Sequence, residues 1–462
     1  MVSFPEKRRI LFLCEMNFSD YIPFYKRNLH LAFPIVLSQI GQVMVSLIDN
    51  MMVGHVGTTE LAAASFANSV FMIGMVFGMG ITFGSTPLVG KAFGDNDFKT
   101  TVVWLKNGLF SHVVAGVLLT LLMFGVYLFL PLMGQPPEVL ELAKPYFILL
   151  CFSYLPFILF FSFKQFFEGI GNTQMAMVIT LTANVVNTIV NYVLIFGKLG
   201  FPEMGLNGAG IGTLVSRIIM PLMFIYFISR KSRFVEYFKL ARIEKITKER
   251  IVQLFKIGIP IAFQLIVEVT AFGIGAVMMG WLGETPLAAH QVALGLASFT
   301  YMISLGVSQA NTIRVSHQIG LRDYKSMKSA AMASTHLVLL FMSLMALLFI
   351  GGKNLLPYLF TSDIEVIKIA AGLLIVAAIF QLFDGLQVVM LSTLRGMADV
   401  TVPMFIAFLA YLLVGIPTSY IFTFELNFGP QGIWFGYLVG LGTAGILFYL
   451  RFKQNMKKLR LA

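Results

Sequence analysis

The sequence predicts an all-α membrane protein whose twelve transmembrane helices form two six-helix lobes. The first observation behind this fold class is composition: 58% of the 462 residues are hydrophobic and 12% are charged, whereas soluble domains carry about 25% charged residues. The second observation is a series of twelve long apolar stretches. The third is an internal repeat, because both halves of the chain place glycine, proline and aspartate at matching positions.

Each apolar stretch approaches or exceeds the roughly 20 residues that a helix needs to cross the hydrocarbon core of a bilayer. The predicted spans, numbered one to twelve along the chain, cover residues 31–53, 66–90, 107–133, 145–167, 175–197, 206–229, 251–280, 290–313, 329–352, 366–393, 402–424 and 431–450. An even number of spans places both chain ends on the same side of the membrane.

Lysine and arginine are concentrated in the N-terminal segment, in the segment between the sixth and seventh spans, and in the C-terminal tail. The connections on the other side hold few positive charges, namely Lys144, Lys198 and Lys353. Because cytoplasmic loops of membrane proteins are enriched in Lys and Arg, both termini are predicted to be cytoplasmic. The same rule accounts for the net charge of +11, so we predict the lipid bilayer and no nucleic acid as a partner.

These spans divide the chain into five segments. We predict a cytoplasmic N-terminal arm at 1–30, an N-lobe at 31–229, a cytoplasmic linker at 230–250, a C-lobe at 251–450 and a basic cytoplasmic tail at 451–462. The arm lacks the small-residue cleavage site that a signal peptide needs. The two cysteines, Cys14 and Cys151, define no disulfide framework.

The internal repeat is clearest when the first half of the chain is shifted by 226 residues. Without a gap, this shift aligns Pro34 with Pro260, Gly54 with Gly280, Gly80 with Gly306, Gly94 with Gly320 and Asp97 with Asp323. If two apolar runs were aligned by chance, the identical pairs would be mostly Leu and Ala. The number of identical Gly, Pro and Asp pairs therefore indicates a true repeat. Because each repeat has six spans, we expect the two lobes to be related by a pseudo-two-fold axis along the membrane normal, with a cavity between them.

Three carboxylates lie inside predicted spans, at Asp49, Glu268 and Asp384. A charge at that depth costs about 2.5–3.5 kcal/mol or more unless it faces a cavity, a partner or a bound cation. Gln381 and Gln387 lie three residues on either side of Asp384 in an otherwise apolar run. We therefore predict that these acids hold a cation or a proton.

Polar side chains also follow one face of the first span and one face of the fifth. The first face carries Gln39, Gln42, Ser46 and Asp49, and the second carries Thr180, Asn184, Asn187 and Asn191, at spacings of three and four residues. Carboxylate, amide and hydroxyl oxygens together suit a hard cation, or a proton shared on the carboxylate. The alternative is a polar contact that only holds the helices together.

The repeat distributes the acids asymmetrically. It aligns Glu268 with Gln42 and Asp49 with Gly275, so one buried acid lies in the first half and two lie in the second. Polar contacts between helices give little reason for this asymmetry, although a neutral, hydrogen-bonded Glu268 is an alternative. The candidate cavity-lining residues are Gln42, Asn184, Gln264, Gln291, Gln381 and Gln387, with His290 and Gln309 more weakly indicated, and Arg217 has no assigned role.

The sequence contains no HExxH, GxSxG, P-loop or dinucleotide-binding signature. We therefore predict no enzymatic activity and no energy source such as ATP. No cofactor or metal is expected apart from Na⁺ or H⁺ as a coupling ion.

Five stretches resemble the multidrug and toxic compound extrusion (MATE) transporters, and in particular their NorM-type bacterial branch. They are residues 48–54 (Ile-Asp-Asn-Met-Met-Val-Gly), 187–192 (Asn-Thr-Ile-Val-Asn-Tyr), 267–272 (Val-Glu-Val-Thr-Ala-Phe), 287–293 (Leu-Ala-Ala-His-Gln-Val-Ala) and 383–389 (Phe-Asp-Gly-Leu-Gln-Val-Val). The resemblance implies export of cationic or aromatic drugs against inward flow of Na⁺ or H⁺. It also implies two cation sites, formed by Glu268 with Asp384 and by Asp49 with Asn187 and Asn191.

The predicted function is therefore drug–cation antiport by alternating access, in a monomer in the bacterial inner membrane. A lipid-linked saccharide flippase of the same superfamily is the first alternative, but such a protein should have a cationic cavity for phosphates. A membrane-embedded enzyme or a receptor is the alternative from another class. An enzyme would need a nucleophile–base or metal constellation, and a receptor gains nothing from two matched halves.

Overall fold

The computed structural model describes residues 18–461, and twelve helices within this range are long and apolar enough to cross a membrane. They are α1 (Phe18–Gly54), α2 (Thr58–Gly94), α3 (Phe98–Met133), α4 (Pro137–Gly169), α5 (Thr173–Ile195), α6 (Gly205–Arg230), α7 (Lys248–Trp281), α8 (Glu284–Gly320), α9 (Tyr324–Gly352), α10 (Ile364–Gly396), α11 (Thr401–Glu425) and α12 (Pro430–Leu461). A short helix, Ser232–Ile243, lies in the linker between α6 and α7. The predicted all-α fold with twelve spans is confirmed.

Helix α1 begins well before the first predicted apolar span. Residues 18–30 were predicted to belong to the N-terminal arm, but they form the first turns of α1, while residues 1–17, with Cys14, lie outside the described range. The hydroxyl of Tyr25 is 3.0 Å from Nδ1 of His336, and Nδ2 of Asn28 donates to Oγ of Ser334 at 2.8 Å. Because polar side chains of this segment find partners on α9, the helix continues beyond the apolar run.

The buried apolar residues form two clusters, and the first part of α1 and of α7 packs in the cluster of the opposite lobe. Ala32 and Ile35 of α1 belong to the C-lobe core, whereas Val53 at the other end of α1 belongs to the N-lobe core. Similarly, Ile261 of α7 lies in the N-lobe core and Met278 lies in the C-lobe core. Part of α1 and part of α7, which we call the crossing helices, therefore pack in the core of the opposite lobe.

The repeat is visible in the backbone as well as in the sequence. Asn96 and Arg322, which the 226-residue shift aligns, both adopt a positive φ of 56°. Each precedes an aspartate that caps the next helix: Oδ1 of Asp97 accepts from the amide of Thr100, and Oδ1 of Asp323 accepts from that of Ser326, both at 2.9 Å. The same turn therefore connects the second and third helices of each lobe.

Four glycines bring the lobes into backbone contact in two pseudo-symmetric pairs. A Cβ atom on Gly80 of α2 would overlap the backbone of Ala262 of α7, and one on Gly306 of α8 would overlap Val36 of α1. Shifting Gly80 and Val36 by 226 residues gives Gly306 and Ala262, so the two contacts are equivalent. The absence of a side chain at these positions permits each crossing helix to approach the other lobe.

The second pair of contacts lies at the end of the bundle where α1 begins and α12 ends, which we call the terminal end. A Cβ on Gly94 would overlap the carbonyl of His317, and one on Gly320 would overlap the carbonyl of Lys91. These residues are again related by the 226-residue shift. Together the four contacts, termed the inter-lobe glycine contacts, join the lobes in the half of the bundle nearest the terminal end.

Removal of the capping carboxylates should destabilise α3 and α9. Asp97→Ala and Asp323→Ala should each lower the free energy of unfolding by about 1 kcal/mol, whereas Asn at the same positions should keep most of the cap. Hydrogen bonds from the side chains and the amides of Thr100 and Ser326 hold the pKa of these carboxyls below the ordinary value of 3.8. The stabilisation by the ionised carboxylates is therefore present at neutral pH and is lost as the pH falls through their lowered pKa.

Thermal unfolding midpoints of the two Ala variants in detergent at pH 7 and pH 3 check this prediction. The difference from the wild type should narrow at the lower pH. Midpoints equal to that of the wild type at pH 7 would contradict a capping role.

A bulky side chain at an inter-lobe glycine contact should push the lobes apart. Gly80→Leu should cost about 1–3 kcal/mol through overpacking against Ala262, and should widen the separation of spin labels placed at the exposed Lys99 and Lys325. The matched control is Gly125→Leu in α3, because no atom lies within 4 Å of an added Cβ there. Equal label distances in the two variants would exclude a role of Gly80 in lobe contact.

Candidate functional site

A cavity of about 430 Å³ lies between the two lobes and is lined by α1, α2, α7, α8 and α10 together with two residues of α4. Most of its wall is apolar, with side chains such as Met79, Phe272 and Phe380. Two of the three predicted acids, Glu268 and Asp384, line this wall. The cavity therefore combines a large apolar surface with two carboxylates. It lies between the two lobes, where the sequence predicted a cavity.

Two basic side chains share the cavity wall with the acids. Lys164 lies 3.8 Å from Glu168, and both side chains are almost fully buried, so this cation is paired within α4. The guanidinium of Arg395 donates to Oε1 of Gln264 at 3.1 Å and interacts electrostatically with Glu268. With every group ionised, these residues and Asp384 carry one net negative charge, because three carboxylates face two cations.

Each of the two C-lobe acids accepts a hydrogen bond from a neighbouring side chain. Nε2 of Gln387 donates to Oδ1 of Asp384 at 3.4 Å, and the hydroxyl of Tyr411 donates to Oε1 of Gln387 at 2.8 Å. Tyr411 and Glu268 in turn line a small pocket of about 20 Å³. Glu268 accepts a hydrogen bond from Tyr301 at 3.3 Å. The arrangement surrounds two carboxylates with hydroxyl and amide groups.

Tyr411 lies in an irregular stretch of α11. Residues Phe408–Gly415 form a π-helix, with hydrogen bonds one residue longer than those of an α-helix. Nothing in the sequence singled out Tyr411 or Tyr301, since neither interrupts a pattern of apolar residues. A stretch of Gly and Pro residues in the eleventh span, Gly415-Ile416-Pro417, was the one available signal of irregular helix geometry there.

The third acid, Asp49, lies inside the N-lobe rather than in the wall of the central cavity. Its Oδ1 accepts a hydrogen bond from Nδ2 of Asn191 at 2.7 Å, and the same amide lies 3.2 Å from Oδ1 of Asn187. Oδ1 of Asn191 is buried and has no hydrogen-bond partner among the described residues. The structure thus brings together the carboxylate and the two amides that the resemblance grouped as the N-lobe site.

The approach of α6 completes this N-lobe site. A Cβ atom on Gly212 would overlap Oδ1 of Asn191, so glycine is needed for α6 to lie against the amide. The site therefore offers three oxygen-bearing side chains, from Asp49, Asn187 and Asn191, inside the N-lobe. Such a set can bind a hard monovalent cation or hold a proton on the carboxylate.

The predicted cavity lining needs correction for five of the six candidates. Gln42 lines the central cavity, as does the more weakly indicated Gln309. The other five lie elsewhere. Gln264 hydrogen-bonds to Arg395 and Gln387 hydrogen-bonds to Tyr411, whereas Gln381 is buried and its amide has no partner among the described residues. Asn184 lies beside Gly41, and Gln291 is exposed. Positions three residues from Asp384 are turned about 60° away from it on a helix, which directs Gln381 and Gln387 into the C-lobe.

His290, the other weakly indicated residue, is also absent from the cavity wall. It is fully buried, and its Nδ1 accepts a hydrogen bond from Nε1 of Trp434 at 3.2 Å. Its neighbours Trp434 and Tyr437 pack around it in the C-lobe core. We assign it to packing of α8 against α12.

Comparison with known sequences matches both halves of the chain. A sequence model described as MatE matches residues 34–193 and again residues 260–421, once in each repeat. A probable multidrug resistance protein NorM of Agrobacterium fabrum is 30% identical over 445 residues, which cover 94% of this chain and 96% of that protein. One of the same description from Rhodopseudomonas palustris is 35% identical over 432 residues, covering 92% and 91%.

Solved structures have the same fold. The eukaryotic MATE transporter AtDTX14 superposes with a TM-score of 0.84 at 22% identity, covering 95% of this chain and 99% of that one. An outward-facing multidrug resistance MATE family transporter of the MOP superfamily superposes with a TM-score of 0.87 at 19% identity, covering 95% and 97%.

Loss of the Tyr411 hydroxyl should weaken the C-lobe site. Tyr411→Phe leaves the buried Oε1 of Gln387 without its donor, and we expect the free energy of unfolding to fall by about 1–3 kcal/mol. Tyr358→Phe is the matched control, because Tyr358 is 58% exposed, and it should change stability by less than about 0.5 kcal/mol. Thermal unfolding of both variants in detergent measures the difference, and equal midpoints would show that the bond contributes nothing.

Proposed function

The chain belongs to the MatE family, and from this premise we propose that it is a secondary active antiporter that exports cationic or aromatic organic compounds in exchange for inward Na⁺ or H⁺. One observation carries the proposal. The multi-pass chain places Glu268 and Asp384 on the wall of a large apolar cavity between two pseudo-symmetric lobes. Buried acids facing such a cavity are typical of ion and substrate pathways.

The coupling ion and the substrate compete for the same negative charges. When a cation or proton occupies Glu268 and Asp384, the cavity loses the charge that attracts a cationic drug. When these sites are empty, the net negative charge and the apolar wall favour a flat organic cation. A cycle in which each ligand shifts the lobes toward the state that it binds better yields exchange without any covalent step or cofactor.

The inter-lobe glycine contacts supply the gate for this exchange. The contacts at Gly94 and Gly320 join the lobes beyond the cavity, at the terminal end, and the distribution of Lys and Arg assigns that end to the cytoplasm. We therefore propose a protein of the bacterial inner membrane with both termini in the cytoplasm, closed on the cytoplasmic side in this conformation. Separation of the glycine contacts would open the cavity to the cytoplasm for drug loading.

We propose two cation sites, one in each lobe. Glu268 and Asp384, with the hydroxyl of Tyr301 nearby, form the C-lobe site, and Asp49 with Asn187 and Asn191 forms the N-lobe site. The amide oxygens of the N-lobe site favour Na⁺ over a proton, since a proton needs no further ligands. One chain contains both lobes and both sites, which supports a monomer surrounded by lipid as the working unit.

The charge of the cavity argues against the flippase reading. A lipid-linked saccharide carries phosphates, and its carrier should surround them with unpaired cations. Here Lys164 is paired with Glu168, and Arg395 faces Glu268, so the surplus charge is negative.

Neutral replacements of the acids should uncouple transport from the cation gradient. In proteoliposomes, Asp384→Asn, Glu268→Gln and Asp49→Asn should each reduce gradient-driven efflux of ethidium by about tenfold or more. The matched control is Glu365→Gln, because Glu365 is an exposed carboxylate in the first turn of α10, and it should transport as the wild type does. Imposing a Na⁺ gradient and a pH gradient in separate experiments identifies the coupling ion.

If all three neutral variants kept wild-type efflux under both gradients, cation coupling at these acids would be disproved. Full activity of Asp49→Asn alone would restrict coupling to the C-lobe.

A further inference from the structure

A second cavity, of about 590 Å³, lies at the terminal end of the bundle, beside the inter-lobe contact at Gly320. Lys91 and Asp95 line it from the end of α2, in the N-lobe. The rest of its wall comes from the C-lobe, at the ends of α8, α10 and α12 and at the start of α9. We call this space, which lies outside the central cavity and is bordered by both lobes, the terminal cavity.

The terminal cavity is positively charged. Its charged side chains are Lys91, Asp95, Arg322, Asp399, Arg451 and Lys458. With every group ionised, four cations face two carboxylates, which leaves two surplus positive charges. Asp399 is already engaged, because its Oδ2 accepts from Nε of Arg451 at 2.7 Å and from Nδ2 of Asn455 at 2.6 Å.

The other three cations of the wall have no such partner. Among the described residues, no carboxylate lies within 4.0 Å of the charged nitrogens of Lys91, Arg322 or Lys458. Lys91 belongs to the N-lobe, whereas Arg322 and Lys458 belong to the C-lobe. An anion bound by all three would therefore link the two lobes.

The repeat provides a counterpart for this corner of the molecule. The 226-residue shift aligns Lys91 with His317, and a shift of 227 aligns Ala398 with Gly171. Both members of the second pair adopt a positive φ, of 58° and 81°, so the turn after α10 matches the turn after α4. At the counterpart corner, Nε2 of His317 donates to the carbonyl of Gly169 at 2.6 Å and links the lobes directly. Lys91 instead lines the terminal cavity, as does Ala398.

The counterpart corner is also less charged and is covered by protein. The 226-residue shift aligns Arg322 with Asn96, an uncharged residue with the same φ of 56°. The short linker helix Ser232–Ile243 covers the end of α4, where the ring centroid of Phe234 lies 5.1 Å from that of Phe167. The open space and the charge of the terminal cavity are therefore not requirements of the repeated fold.

The terminal cavity also suits an amphiphile. Ile319, Met397 and Leu459 add apolar surface to the cationic wall. Arg451 directly follows the twelfth predicted span, which ends at residue 450, so the cavity lies at the level of the lipid headgroups. Basic pockets between helices at this level bind the phosphate groups of anionic lipids.

We propose that the terminal cavity binds the phosphate of an anionic phospholipid, which bridges Lys91 of the N-lobe to Arg322 and Lys458 of the C-lobe and holds the lobes together at the terminal end. This ligand is neither the coupling ion nor the transported compound of the proposed function. Because it contacts both lobes, it binds best when they are close and shifts the population toward that arrangement.

The first test is a titration of the purified full-length protein in detergent with phosphatidylglycerol, read as the rise of the thermal unfolding midpoint. Lys91→Gln, Arg322→Asn and Lys458→Gln should each raise the lipid concentration for half-maximal stabilisation about fivefold. Asn is chosen at position 322 because Asn96 adopts the same φ in the other repeat.

Lys457→Gln is the matched control. It removes the same charge from the neighbouring position of α12, but Lys457 is exposed and does not line the terminal cavity. It should titrate as the wild type does. If Lys457→Gln weakened binding as much as Lys458→Gln, the lipid would be responding to overall surface charge and the inference would be overturned.

Two further arms identify the source of the phosphate. Phosphatidylethanolamine, which has no net charge, should stabilise the wild type less than phosphatidylglycerol and should not distinguish the cavity variants from it. Inorganic phosphate at millimolar concentration should also fail to distinguish them. Variant-dependent stabilisation by inorganic phosphate at that concentration would overturn the assignment to a lipid.

The bridging role is tested by spin labels at Lys99 and Lys325, one on each lobe. Their separation should be shorter in nanodiscs of phosphatidylglycerol than in nanodiscs of phosphatidylethanolamine, and Lys91→Gln should remove this difference. Equal separations of the wild-type labels in the two lipids would overturn the bridging role.

Transport separates this result from the proposed function. If wild-type vesicles show no gradient-driven efflux while the lipid titration responds to the three cations, antiport is refuted and the lipid site stands. If efflux is cation-driven and all variants titrate alike, antiport stands and the lipid site is refuted.

Discussion

An ionised carboxylate within a membrane-embedded lobe must be compensated by a partner, a cation or a proton, and most of what distinguishes this molecule depends on that constraint. Each of the three intramembrane acids meets it differently. Asp49 accepts a hydrogen bond from Asn191, and Glu268 accepts one from Tyr301 and interacts with Arg395. Asp384, the most buried of the three, accepts a long bond from Gln387. In the described part of the chain, none of these partners forms a direct ion pair with the acid.

The scaffold around the acids is symmetric, whereas the acids are not. Equivalent glycines hold the lobes together at equivalent positions, and equivalent aspartates cap the third helix of each lobe. In the proposed exchange cycle, two rigid lobes of this kind would alternate between two packing arrangements by rotation. The unequal charges would then set the direction of exchange, because only differential binding to the two arrangements can shift their populations.

Much of this structure could be predicted from the sequence, for identifiable reasons. The membrane spans could be predicted because an apolar run of bilayer length has few structures open to it other than a transmembrane helix. The repeat could be predicted because glycines such as Gly80 and Gly306 are conspicuous among Leu and Val. The acids stand out for the same reason. The irregular helix at Tyr411 and the contact of Tyr25 with His336 could not be predicted, because they depend on helices that are distant in sequence. The error for Gln381 and Gln387 arose from assuming that neighbours of a cavity residue share its orientation.

The crossing helices bear on how such a molecule could have originated. Each lobe completes its core with the first part of a helix from the other repeat, Ile35 in one case and Ile261 in the other. A single six-helix precursor would therefore have left part of its core unfilled. Two copies that exchanged their first helices would have filled both cores, as in a domain-swapped dimer. Fusion of two such copies would join chains that are already intertwined, so a linker between them would have no new packing to create.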